Sequence, residues 1–138
     1  MREFLVNNLE ETLKFAQEMI AFVRSDFYFL LEGDLGSGKT TFTKQLLKLL
    51  GVKENVTSPT FVIMNQYEGN QKLKINHVDA YRLIGDSENE MYFDEFKNAF
   101  NIIEWYENLN LDFNEINYLK ISFIKTGDNS RKITVKEK

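Results

Sequence analysis

The sequence contains no cysteine, one proline (Pro59), one histidine (His77) and one tryptophan (Trp105). Without cysteine there are no disulfides and no thiolate metal ligands, and secretion is neither required nor suggested. A lone histidine excludes a multi-histidine metal centre. There is no excess of basic charge either: 17 Lys and Arg stand against 21 Asp and Glu, a formal net charge of −4. A surface built mainly to grip nucleic acid needs a basic face, so strong direct binding is not expected; contact with RNA through a partner stays open. No stretch approaches the ~20 apolar residues of a membrane helix. The segment Met1-Arg2-Glu3-Phe4-Leu5 lacks the long apolar core of a signal peptide. A soluble, cytoplasmic protein is the expectation.

What the chain does have is enough apolar material for a core. With 138 residues, 43% hydrophobic and 14% aromatic, residues 1–138 are expected to form a single domain. No linker, repeat or low-complexity tract interrupts it.

The most informative segment is Gly33-Asp34-Leu35-Gly36-Ser37-Gly38-Lys39-Thr40. It fits the phosphate-binding loop: glycine, four residues, glycine, lysine, then serine or threonine. An apolar run, Phe27 to Leu31, precedes it, and a helical pattern from Phe42 to Leu50 follows. Strand, loop and helix in that order give the motif its physical meaning. The glycines let successive amide groups turn inward toward phosphate oxygens, and the helix adds the positive end of its dipole. Lys39 would reach the terminal phosphates and the Thr40 hydroxyl would hold Mg²⁺. A nucleoside triphosphate is the expected ligand.

Periodicity and capping signals place the remaining elements. Asn8-x-x-Glu11 reads as a capping box opening a helix to about Arg24. The phosphate-loop helix runs from Lys39 to Leu50 and stops at Gly51. Phe61–Tyr67 and Leu73–Val78 form a hairpin around Gly69-Asn70. Ser87-x-x-Glu90 opens a helix carrying Tyr92, Phe96, Ala99 and Phe100 on one face. Asn101–Trp105 is a short strand, and Tyr118–Ile124 with Arg131–Val135 make a closing hairpin. These elements predict an α/β, P-loop NTPase-like three-layer sandwich. Its sheet is mixed, with a parallel core plus antiparallel hairpins, and the strands ending before Gly33 and at Glu104 are the parallel candidates. Ligands of such sheets sit at the carboxyl ends of the strands.

That rule sorts the other candidates. Asp79 ends a strand downstream of the phosphate loop, where a carboxylate holds Mg²⁺ or its water shell; a cap or solvated turn is the plainer reading, and the loop favours the first. Glu104 ends another strand and is followed by Trp105. On the residues alone, a Mg²⁺ ligand or water-orienting group and a plain surface end stand equal, as do a partner-docking Trp105 and a core one. Ser58-Pro59-Thr60-Phe61 lies where switch loops sense the terminal phosphate, although on the residues alone an ordinary turn into a strand explains it better. His77 lies on the same strand face as Asp79 and reads as a hydrogen-bonded structural residue. The acidic run from Asp86 to Glu95 reads as a solvated helix face.

Four segments in one order resemble a family: Gly33 to Thr41, Ser58-Pro59-Thr60-Phe61, His77-Val78-Asp79-Ala80-Tyr81-Arg82-Leu83 and Ile103-Glu104-Trp105. The chain is similar to the bacterial TsaE (YjeE) proteins, from Glu11-Thr12 to Arg131. The resemblance implies a weak ATPase of tRNA threonylcarbamoyladenosine synthesis. Such a protein uses ATP and Mg²⁺ with the TsaD–TsaB pair and resets it between turnovers. It also implies roles residue by residue. Gly36, Ser37, Gly38, Lys39, Thr40 and Thr41 bind the nucleotide, with Thr12 near the base and Arg131 approaching from the closing hairpin. Thr40, Asp79 and Glu104 serve the metal; Lys39, Asp79 and Glu104 carry catalysis. Ser58, Pro59, Thr60 and Trp105 are linked to switching or to the partner. The chain departs from the family pattern at Ser37 (more usually alanine), Ala80 (leucine) and Tyr106 (proline), and in a shortened stretch from Asp86 to Asn101.

Two other classes stay in view. A small-molecule kinase needs a basic lid, and the chain has only Arg2, Arg24, Arg82 and Arg131, scattered. A non-hydrolysing ATP-binding module would not need Asp79 and Glu104. No Asn-Lys-x-Asp guanine signature is present.

Overall fold

A seven-stranded mixed sheet carries the chain, in the order β1-β7-β6-β2-β5-β4-β3. The computed structural model describes residues 1–34, 36–57, 59, 63–83 and 92–138. The strands are β1 (Arg2–Val6), β2 (Phe27–Glu32), β3 (Met64–Glu68), β4 (Lys74–Asp79), β5 (Phe100–Glu104), β6 (Asn117–Lys125) and β7 (Arg131–Glu137). The helices are α1 (Leu9–Met19), α2 (Lys39–Leu49) and the short α3 (Phe93–Phe96). β2 pairs in parallel with both β5 and β6, and β5 with β4. The β3–β4, β6–β7 and β1–β7 pairs are antiparallel. The expected parallel core flanked by antiparallel hairpins is therefore present.

Alternation along the strands divides the core into two. Phe29, Leu31, Ile75, Phe100, Ile102 and Ile121 face one way and pack under α1 and α2, against Phe15, Met19, Phe42 and Leu46. Leu30, Val78 and Ile103 face the other way, against Leu83, Phe96, Tyr106 and Leu109. The second outer layer is thin, built among the described residues from α3 and single 3-10 turns. Burial on both faces is why β2 reads as a continuous apolar run, while β5 also buries the polar Asn101.

The helix ends follow the local chemistry. Asn8 Oδ1 accepts from the Glu11 amide at 2.9 Å, while the Glu11 carboxylate returns to the amide of Asn7, one residue earlier than a standard box. The C-terminus of α2 closes in a Schellman arrangement, with Gly51 N–H on Lys48 O at 3.1 Å and Val52 N–H on Leu47 O at 3.0 Å. Gly51 takes the left-handed φ of 87° that this requires.

Three expectations change. β1 was not foreseen: it is an edge strand with only Val6 fully buried, so its apolar alternation is faint. The helix expected from Ser87 is, within the described residues, only Phe93–Phe96, and Phe100 belongs to β5; Ser87 and Glu90 lie outside the described residues. Trp105 is not in a strand but sits at φ 58°, ψ 39°, where the chain turns off the sheet.

Candidate active site

The parallel strands bring the site together. β2, β4, β5 and β6 end on the same edge of the sheet. β7 runs against β6, so its first residue, Arg131, starts at that edge, opposite Lys125. β1 runs against β7, so Val6 also ends there, paired with Arg131, and leads straight into Asn8 and α1 with Thr12. Residues more than 90 positions apart in the sequence thus meet because strand direction alone places them there.

The phosphate loop leaves β2 at Glu32 and enters α2 at Lys39. Gly38, at φ 108°, is the N-terminal flank of α2, and no side chain caps the helix. Its first-turn amides are therefore donors without an intrahelical partner, and the helix dipole favours an anion there. Lys39 Nζ donates to the carbonyl of Gly33, folding back over the loop. The loop is pinned from outside by Arg131, which donates to the carbonyls of Ser37 at 2.8 Å and Gly36 at 3.0 Å.

Glu104 is buried at the end of β5 and stands opposite Asp79 of β4 and Leu31 of β2 in register. Its Oε1 lies 3.7 Å from Lys39 Nζ, and its Oε2 lies 2.9 Å from His77 Nε2. A carboxylate out of water requires such partners. Asp79 is half-buried, and its Oδ1 accepts from the Tyr81 amide at 3.0 Å. Beyond Glu104, Trp105 is 41% exposed and packs edge-on against Tyr81, 56% exposed, with ring centroids 5.0 Å apart. Lys39 Nζ lies 5.8 Å from the Trp105 ring.

Two cavities adjoin at this edge. One, of about 490 Å³, is lined by Gly36, Gly38, Lys39, Thr40, Thr41, Asp79, Tyr81, Glu104, Trp105 and Arg131. The other, of about 510 Å³, lies between the N-terminus of α1 and the β6–β7 hairpin and includes Asn7, Leu9, Thr12 and Asn129. They share Gly38, Thr41 and Arg131. The first offers amides, an ammonium, a guanidinium and two carboxylates; the second offers a largely apolar and amide lining, with Glu10 and the shared Arg131 beside it. Together they suit a polyanion in one and a planar ring in the other.

Most of the residues singled out from the sequence therefore converge. Ser37 is buried and lines neither cavity; its carbonyl is held by Arg131 and its amide by Asp34 O at 3.0 Å. Pro59 is buried, while Ser58 and Thr60 lie outside the described residues. His77 is hydrogen-bonded, as expected, but sequence reasoning did not name its partner: Glu104, the register neighbour of Asp79 across the sheet. Among the described residues, no group of three His, Asp or Glu side chains could hold a metal by itself. Thr40, Asp79 and Glu104 nevertheless border one cavity, a donor set suited to a hard cation that draws its other ligands from phosphate and water.

The chain matches the family model described as "Threonylcarbamoyl adenosine biosynthesis protein TsaE" over residues 6–133. It is 36% identical over 129 residues to the tRNA threonylcarbamoyladenosine biosynthesis protein TsaE of Bacillus subtilis, covering 92% of this chain and 80% of that one. The protein of the same name in Treponema pallidum is 36% identical over 112 residues, covering 77% and 78%. Among solved structures, Bacillus subtilis YdiB superposes with a TM-score of 0.74 at 33% identity, over 99% of this chain and 84% of that one.

Proposed function

Since the chain belongs to the TsaE family, we propose that it is the ATP-binding and ATP-hydrolysing subunit for threonylcarbamoyladenosine modification of tRNA, at the adenosine next to the anticodon. It acts in the cytoplasm as a single ATPase domain, with a TsaD–TsaB pair that it resets between turnovers. The names of its relatives support the pathway. The observation that carries the chemistry is Glu104, buried at the floor of the phosphate-loop cavity between Lys39 and His77.

Each part has a physical task. The first-turn amides of α2 and Lys39 hold the β- and γ-phosphates. Thr12 and its neighbours take the adenine side, and Arg131 bridges the two cavities. Thr40, Asp79 and Glu104 are the residues that would hold Mg²⁺, which when bound neutralises phosphate charge and polarises the transferring group. Glu104 also accepts from and orients the attacking water, the electrostatic work that phosphoryl transfer to water demands. The exposed pair Tyr81 and Trp105 at the cavity mouth gives the partner a place to close the site. That explains why turnover is weak alone. With a formal charge of −4, tRNA is reached through the partner.

The test is Glu104→Gln. It should keep ATP affinity within a few-fold and lose turnover by about 100-fold or more. In a reconstituted TsaD–TsaB reaction, the wild-type chain should restore multiple turnovers and Lys39→Ala should not. Normal hydrolysis by Lys39→Ala in that mixture would overturn the reading.

A further inference from the structure

Resting on the ATPase reading above, we infer that His77 is a positioning residue of the reaction: its Nε2–H holds one oxygen of Glu104 so that the other stays turned to Lys39 and the phosphate cavity. The two oxygens have divided environments. Oε2 is 2.9 Å from His77 Nε2 and Oε1 is 3.7 Å from Lys39 Nζ. The imidazole is fully buried and the Glu104 side chain 6% exposed. A carboxylate only accepts, so the proton of this bond sits on Nε2. Nδ1 is buried without a partner, which suits a lone pair better than an N–H.

Among the described residues the ring therefore makes a single polar contact, and that contact is with the glutamate. A histidine kept for stability would use both nitrogens or yield to an aliphatic residue like Ile75 and Ile102 on the same sheet face. Register explains the reach: His77 faces Ile102 and Asp79 faces Glu104, so His77 and Glu104 are diagonal neighbours across β4 and β5. Without the bond, the flexible glutamate is free to close on Lys39. A tight ion pair there would compete with phosphate for the ammonium. The histidine thus keeps the carboxylate in reach of water and the lysine in reach of ATP.

The test uses the full chain with its TsaD–TsaB partner and the variants His77→Gln, which keeps a donor near the Nε2 position, and His77→Phe, which fills the space without one. His77→Phe should lower kcat about 10–100-fold, the range for partners that orient an active group, with KM for ATP changed far less. His77→Gln should recover most of that loss. Equal rates in both variants, whether normal or reduced, overturn the inference. Because the chain has one histidine, its imidazole N–H signal in a nitrogen-15 NMR spectrum is unambiguous. That signal should move in Glu104→Gln, and an unmoved one overturns the pairing even if His77→Phe fails to fold. If the wild-type chain with its partner hydrolyses no ATP, the ATPase reading fails by itself, and the NMR arm still decides whether His77 holds Glu104.

Discussion

Arg131, the first residue of β7, donates from Nε to the carbonyl of Ser37 at 2.8 Å and from Nη2 to that of Gly36 at 3.0 Å. A hairpin residue thereby fixes the shape of a loop 94 positions earlier in the chain. The planar fork matters, because one cation serves two carbonyls at once.

Arg131→Ala should weaken ATP binding about tenfold, the equivalent of ~1.4 kcal/mol, through loss of loop order. Arg131→Lys keeps the charge but not the fork, and should recover less than half of that loss. Titration calorimetry with ATP decides it: wild-type affinity in Arg131→Lys would mean that charge alone suffices.

Ser37 gives a prediction of opposite sign. Its hydroxyl is buried and, among the described residues, without a hydrogen-bond partner. A buried unsatisfied hydroxyl costs about 1–3 kcal/mol, and removing it leaves only a small void. Ser37→Ala should therefore stabilise the protein by about 1 kcal/mol, a few degrees in melting temperature. Urea denaturation measures it, and a loss of stability would show that the hydroxyl has a partner in solution.

Much of this site was readable because it is local. Gly33 to Thr40, with a strand before and a helix after, is written in consecutive residues. So are the strand ends at Asp79 and Glu104. What could not be read is register. Nothing near His77 says that it stands diagonal to a glutamate 27 residues later, since parallel pairing is decided by the whole sheet. The closing hairpin was legible, but the carbonyl contacts of Arg131 depend on β6 lying parallel beside β2, and that was equally invisible. Trp105 was placed in a strand because its neighbours are apolar; its left-handed φ of 58° is a tertiary constraint on a residue type that does not favour it. The edge strand β1 was missed for want of burial.

The glycines of the loop should differ sharply in tolerance. A Cβ on Gly33 would lie 2.7 Å from the backbone oxygen of Phe123 and 2.6 Å from Ser37 Oγ, at φ 146°. A Cβ on Gly36 would meet nothing within 4 Å, at φ 78°. Gly36→Ala then carries only left-handed strain, about 1–2 kcal/mol. Gly33→Ala adds a clash with the backbone of β6 and should cost several kcal/mol, on the order of 3–5. Comparable denaturation midpoints for the two variants would contradict the geometry.

Alkaline pH should unfold the protein partly through Tyr28. Burial, helped by the nearby Asp26 carboxylate, pushes its phenol from 10.0 up to about 12. Burial and the bond to Glu32 push Tyr106 up as well. The sign follows from proton binding. Below pH 10 the phenol is protonated in both states, and its contribution to stability is complete. Between pH 10 and 12 the unfolded chain releases the proton while the folded one keeps it, so stability falls as pH rises. For the half-buried Tyr28, solvent screening brings the loss to about 1–2 kcal/mol, below the full linkage value. Urea denaturation at pH 9 and pH 11.5 should show that drop in the wild type and a smaller one in Tyr28→Phe. Absorbance at ~295 nm, which follows phenol ionisation, should show a component above the ordinary phenol range in the wild type that shrinks in Tyr28→Phe. An equal pH dependence in Tyr28→Phe and the wild type would remove Tyr28 as a cause.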